Sequence, residues 1–444
     1  MSLQFIIGSS GCGKSCCAYE RIIEQAGMNP QKTYYVIVPE QFTMQTQKTL
    51  VEMSPGQGIL NIDILSFDRL AYRVFEEVGG DNRKLLEDTG KSMVLQKMVQ
   101  LHQKELPYLG SQMKKPGYLD EVKSLLSEFM QYDITAEELE KMEEMSKDRA
   151  LLRMKLHDVG VLYRAFCGYL RDHYMTGEEV MDVLMKVLPF SKKVAGSTIL
   201  LDGFTGFTPV QNKVIRELLI LCDQVWVTVT MDIKAAAGKG GSHQLFYMSK
   251  KMMHSLSGLT KEIIPPIMLK SGNKSRFAQS PALDFLEKNL FRYKREVYEK
   301  EQEEIQIFAA GNPLKEMEEA ARRMAYLVRV KGLRYGEMAV ITGNLEEYKS
   351  LAAQVFEEAG IPFFIDEKHS VLMNPFVEFL RAAMEMVVKG FSYKSVFRYL
   401  RCQMSDVTRE EADRLENYVI ALGIRGFSRW DEKWVRIYRG MAPE

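Results

Sequence analysis

The residues Gly8-Ser9-Ser10-Gly11-Cys12-Gly13-Lys14-Ser15 have the spacing GxxxxGK[ST]. Glycines at that spacing let successive backbone N–H groups turn inward around a phosphate. A helix opening near Lys14 adds the positive end of its dipole. Lys14 is placed to reach β- and γ-phosphates, and Ser15 to hold Mg²⁺. The expected cofactors are therefore ATP, or a related nucleoside triphosphate, and Mg²⁺, held by Gly8, Ser9, Ser10, Gly11, Cys12, Gly13, Lys14 and Ser15. The alternative is a chance Gly-rich turn, but an apolar strand-forming run precedes this loop and a helical pattern follows it. The motif speaks for binding and not, by itself, for hydrolysis.

Such a loop needs an acidic residue on a neighbouring strand to complete the Mg²⁺ shell. Asp202, closing Thr198-Ile199-Leu200-Leu201, has that form; the other reading is a carboxylate capping the next turn. In a motor NTPase a Glu normally follows and activates the attacking water. Here Gly203 follows, and loss of a general base costs about 10²–10⁴-fold in rate.

The elements that must position these residues alternate along the first third of the chain. Strands are expected at residues 3–7, 34–38 and 59–65, with helices at 14–25, 42–53 and 68–78, the pattern of parallel βαβ units covered on both faces. Residues 85–195 lack a convincing strand and read as an all-helical insertion. Strands resume at 198–201 and 224–230, with a helix at 209–221 between them. Residues 234–242 read as a loop and 280–304 as a helix. A second α/β unit is expected from 301 to 370, with strands at 305–310, 338–342 and 363–365 and helices at 314–330 and 346–359. Helices follow over 371–444. The expected fold is thus an α/β P-loop (RecA-like) parallel-sheet domain, residues 1–84 and 196–300, interrupted by the insertion and followed by part of a second such domain with its own helical subdomain. Two or three strands do not close a sheet, so the sequence reads as the front part of a longer chain.

Composition narrows the classes. Lys+Arg and Asp+Glu both number 59, which gives no net basic charge but leaves room for a local basic groove. The six cysteines are scattered with no CxxC pair, so they read as reduced and structural, and no iron–sulfur cluster is expected here. There is no signal-peptide pattern and no run of ~18 apolar residues, so the expected location is cytoplasmic, with no membrane partner. Asp366-Glu367-Lys368 lacks the spaced carboxylate partner that metal-dependent nuclease chemistry needs.

The order of these motifs resembles the UvrD/Rep-like helicases. The counterparts are Val38-Pro39-Glu40-Gln41-Phe42-Thr43, Leu65-Ser66-Phe67-Asp68-Arg69-Leu70, and Leu201-Asp202-Gly203-Phe204-Thr205-Gly206-Phe207-Thr208-Pro209-Val210-Gln211. The phrases VPEQ, SFDRLAYRVFEEVGG, LLDGFTGFTPVQ and LENYVIALGIRGF more specifically resemble the N-terminal half of the AddB family of helicase–nuclease subunits. That resemblance implies a partner of an AddA-like motor, acting on DNA ends in recombinational repair and scanning single-stranded DNA for a hotspot sequence. It implies weak, non-hydrolysed ATP binding, and a nuclease domain lying further along. Of the helicase pattern D-E-x-Q-D, Asp202 remains, while Gly203, Thr205 and Gly206 replace the other polar positions.

Gln41, Thr43, Phe67, Arg69 and Tyr72 follow strand ends, on the side where open α/β sheets bind ligands. With Phe207 they are the expected DNA contacts. The aromatics would stack on bases, Gln41 would meet a base edge, and Arg69 a phosphate or guanine. The alternatives are core packing for Phe67 and Tyr72 and helix capping for Gln41 and Thr43. Two other functions compete: an active DNA-stimulated ATPase or P-loop kinase, and a structural module docking its partner through the insertion.

Overall fold

The computed structural model describes residues 2–436 apart from 57, 82, 234–240, 271–274, 293–295 and 367–370. Two compact units divide it, residues 1–306 and 307–444.

The first unit is built on a six-stranded sheet. Its strands are β1 (Ser2–Gly8), β2 (Tyr34–Ile37), β3 (Ile62–Leu65), β6 (Thr198–Leu201), β7 (Gln224–Thr230) and β8 (Ile263–Leu269). They lie in the order β3-β2-β6-β7-β1-β8, and every pairing is parallel. A parallel sheet covered on both faces needs strands that are apolar throughout. Every residue of β1, β2 and β6 is accordingly buried. Alternate side chains go to opposite faces. Leu3, Phe5, Ile7, Tyr35, Ile37, Ile199, Leu201, Val225 and Val227 pack in one core, and Ile6, Tyr34, Val36, Leu200 and Trp226 in the other.

Helices α1 (Lys14–Met28) and α2 (Thr43–Met53) cover the second face through Ala18, Tyr19, Ile22 and Leu50. Helix α3 (Phe67–Val78) buries Phe67, Leu70, Ala71 and Val74 on the first face, a stripe with helical spacing. The Ser66 hydroxyl caps α3 by accepting from the Arg69 N–H at 3.3 Å.

The insertion holds α4 (Asp88–Leu101), α5 (Pro116–Gln131), α6 (Ala136–Met145) and α7 (Ala150–His173) around a separate core that includes Leu95, Leu126, Leu139 and Leu162. It is not purely helical. Strands β4 (Lys84–Leu86) and β5 (Tyr174–Thr176) pair in parallel at its base. Arg83 fastens this pair by donating to the Tyr174 carbonyl at 2.9 Å and pairing with Asp81 at 2.7 Å. Three-residue strands are too short to show a period, which is why the sequence reads as helical there. Helix α8 (Gly177–Val187), placed in the insertion by the sequence, packs Val180, Met181 and Leu184 into the core of the sheet's first face. Helix α9 (Pro209–Leu221) opens on a reciprocal Thr208–Gln211 capping box with proline in its first turn.

One element is unforeseen and one further expectation changes. Strand β8 contains Pro265 and Pro266 and does not read as a strand; at a sheet edge, missing N–H donors are tolerated. Gln4 Nε2 donates to the Pro265 carbonyl at 3.0 Å, where the β1–β8 register shifts. The helix expected over 280–304 is confined to Pro281–Asn289, and its end turns at Phe291, whose φ is 56°. Most of the expected loop at 234–242 lies outside the described residues, as do Glu367 and Lys368.

The second unit packs helices Pro313–Lys331 and Leu345–Glu358 together through Met317, Ala321, Ala352, Val355 and Phe356. Residues 305–310, 338–342 and 363–365 carry no strand among the described residues. An apolar β-branched run predicts extended backbone, but a strand also requires ladder partners. The helices Pro375–Val388, Tyr393–Arg401, Arg409–Leu422 and Phe427–Asp431 follow, as expected from the sequence.

Candidate nucleotide and nucleic-acid interface

The loops at the C-terminal ends of β1, β2, β3 and β6, with the first two turns of the helices that follow them, carry every expected site residue. In an all-parallel sheet those ends lie on one edge, where ligands bind.

Gly8 closes β1, and the loop turns at Gly11 (φ 72°) and Gly13 (φ 87°), left-handed conformations that glycine adopts without strain. Helix α1 then starts at Lys14. Lys14 Nζ donates to the Ser9 carbonyl at 2.8 Å. Burial, the largest influence, holds the Lys14 ammonium below the usual lysine range, against the opposing charge of Asp202. A phosphate entering the loop would meet an amine already stripped of much of its water.

Asp202 is buried and accepts three hydrogen bonds: from Ser15 Oγ at 3.1 Å, the Tyr19 hydroxyl at 2.6 Å and Thr228 Oγ1 at 2.5 Å. The Ser15–Asp202 pairing is the arrangement that holds a Mg²⁺ shell, so the residues fit that ion beside a bound phosphate. Tyr19 and Thr228 are not foreseen by the sequence. Tyr19 lies one helical turn beyond Ser15 on α1, and Thr228 lies on the strand between β6 and β1, a neighbour that only the strand order reveals. Burial first, and Asp202 second, push the Tyr19 phenol well above its ordinary range. Tyr19 thus ties helix α1, which follows the glycine-rich loop, to the carboxylate at the end of β6.

Gly203 has φ 80°. A side chain there would find ordinary contact with Pro39, 3.5 Å from an added Cβ, but in a left-handed backbone. The position where a motor carries its catalytic Glu is shaped for glycine.

The other expected residues divide by exposure. Gln41, Arg69 and Tyr72 lie at the surface, and Phe207 is half-buried. Thr43 is buried and donates to the Glu40 carbonyl at 2.9 Å, so it closes its own turn. Phe67 is 6% exposed and sits edge-on to Phe204 and Phe207, with ring centroids 5.6 and 6.2 Å away. Its ring offers no open face to a base and instead joins the β3 turn to the β6 turn. Phe42, unforeseen, is exposed beside Gln41, because the buried stripe of α2 is Thr43, Thr46 and Leu50. Glu40 also escapes sequence reasoning: it accepts from Ser66 Oγ at 2.7 Å and pairs with Arg69 Nε at 3.3 Å, linking the β2 and β3 turns.

A strand–glycine loop–helix on a parallel sheet, with a buried Asp facing its Ser, defines a P-loop α/β fold. Residues 5–287 match the family described as ADDB, N-terminal, and the chain belongs to that family. It is similar to proteins named as subunits of an ATP-dependent helicase/deoxyribonuclease. That of Lachnoclostridium phytofermentans is 46% identical over 446 residues, covering 99% of this chain and 39% of the relative. That of Clostridium novyi is 33% identical, covering 98% and 38%, and that of Caldanaerobacter subterraneus 36%, covering 98% and 37%. The chain therefore spans well under half the length of these relatives. No helix among the described residues is long and apolar enough to cross a membrane.

Proposed function

We propose that this chain is the nucleotide-binding, DNA-reading part of an AddB-type component of an ATP-dependent helicase/deoxyribonuclease. It holds ATP with Mg²⁺ weakly and without hydrolysis, through residues 8–15 and Asp202, and does not translocate. It reads single-stranded DNA at DNA ends beside an AddA-like motor in the cytoplasm. The domain plan that goes with this reading is a first RecA-like domain carrying the helical insertion, then the start of a second RecA-like domain from about residue 301 and a helical subdomain from about 371.

The observation that carries the reading is the pair Asp202-Gly203. The glycine-rich loop and the Ser15–Asp202 pair that would hold Mg²⁺ support nucleotide binding, while the next position is a left-handed glycine in place of a general base. The names of the relatives supply the assembly and the substrate class. On the DNA side, Gln41, Arg69, Tyr72 and Phe207 make the contacts, and Thr43 and Phe67 hold the turns that present them.

The test is fluorescence anisotropy on labelled single-stranded DNA across a salt series, with ATP turnover measured in parallel. Arg69→Ala should weaken binding and reduce the salt dependence by about one phosphate contact. Tyr72→Ala should cost about 1–3 kcal/mol of binding if the ring stacks on a base. Turnover should not exceed that of Lys14→Ala. Unchanged binding in both DNA variants removes this interface, and DNA-stimulated hydrolysis abolished by Lys14→Ala establishes the motor reading instead.

A further inference from the structure

The segment of residues 275–292 runs over the phosphate loop. The Arg276 N–H donates to the Gly11 carbonyl at 2.9 Å. The Phe277 ring lies so close to Gly11 that an added Cβ would meet it at 2.7 Å. From the helix Pro281–Asn289, the Glu287 carboxylate accepts the Ser10 N–H at 3.1 Å. Arg292 fixes the end of that helix, pairing with Asp232 at 2.9 Å just beyond β7 and donating to the Glu287 carbonyl.

We propose that this socket selects a nucleoside diphosphate over a triphosphate, with the Glu287 carboxylate standing at the end of the loop that a third phosphate would enter. The inference rests on the reading of residues 8–15 as a nucleotide site. The glycine-rich loop cradles the inner phosphates, and Lys14 reaches from the β- to the γ-phosphate. A carboxylate on a loop amide does what a phosphate oxygen does: it accepts from the N–H and brings a negative charge. Both Glu287 and Arg276 act on the Lys14 ammonium, Glu287 the more strongly, so at Lys14 the carboxylate of the strap outweighs its guanidinium. A diphosphate leaves Glu287 on Ser10. A triphosphate has to push a like charge away and break that hydrogen bond.

Isothermal titration of the 444-residue chain with ADP and with ATP, each with Mg²⁺, tests this. Wild type should bind ADP at least about tenfold more tightly than ATP. Glu287→Gln keeps the shape and removes the charge; it should tighten ATP until the two nucleotides differ by no more than about threefold, leaving ADP nearly unchanged. Equal wild-type affinities overturn the proposal, and so does an equal gain for both nucleotides in Glu287→Gln, which would mean a strap that excludes nucleotide without reading its length. If neither nucleotide binds wild type or Glu287→Gln, the nucleotide reading itself falls and the selectivity with it.

Discussion

Asp202 concentrates three donors on one carboxylate, from half-buried Ser15 and from buried Tyr19 and Thr228. Asp202→Ala should leave them unpaired and destabilise the first unit by about 2–4 kcal/mol, readable from urea denaturation, whereas Tyr19→Phe should cost about 1 kcal/mol. At Gly203, a Glu would face a left-handed backbone; Gly203→Glu should cost about 1–2 kcal/mol and should not confer ATP turnover. Asp68, exposed in the first turn of α3, is held above the ordinary carboxylate range by partial loss of water first and by the Glu40 and Glu178 charges second. It therefore takes up a proton earlier as pH falls, and the face carrying Arg69 then loses a negative charge. Binding of single-stranded DNA should strengthen as pH is lowered from neutral towards the carboxylate range, and Asp68→Asn should flatten that response. An unaltered pH profile in Asp68→Asn would remove Asp68 from the interface.

At the scale of elements, the loop of residues 8–15, Asp202 and the strands β1, β2, β6 and β7 are legible in the sequence, because an apolar run, a glycine loop and a helical stripe are local signals. What escapes is non-local. Strand β8 is identified by its place at a sheet edge, where Pro265 and Pro266 do no harm. Phe67 has the residue type of a base-stacking platform, but Phe204 and Phe207 come from a turn far along the chain and close over it. Tyr19 and Thr228 become visible only once strand order places them against Asp202. The Phe67 cluster should behave as one packed body. Phe67→Ala should cost about 3–5 kcal/mol, and its cycle with Phe204→Ala should show coupling of about 0.5–1.5 kcal/mol in thermal denaturation.

For the whole molecule, the first unit contains two faces of one sheet and the separate core of the insertion, and the second unit has its own core of Met317, Ala352 and Phe356. Units with independent cores need not melt together. Calorimetry should resolve more than one transition, and Ala352→Asp, which buries a charge in the second unit, should lower one transition and leave the other in place. A single transition shifted as a whole would show that the units unfold as one.

The parallel pair β4–β5 gives the insertion a particular evolutionary character. The chain enters the helical body just after Lys84–Leu86 and comes out of it at Tyr174–Thr176, two segments held side by side, about 4.8 Å apart as neighbouring strands are. A body attached through adjacent entry and exit points can be exchanged, shortened or enlarged without re-routing the sheet beneath it. The phosphate loop and the turns beside it could then stay constant while the insertion diverged to suit different partners, much as a fitting can be changed on an unaltered mount.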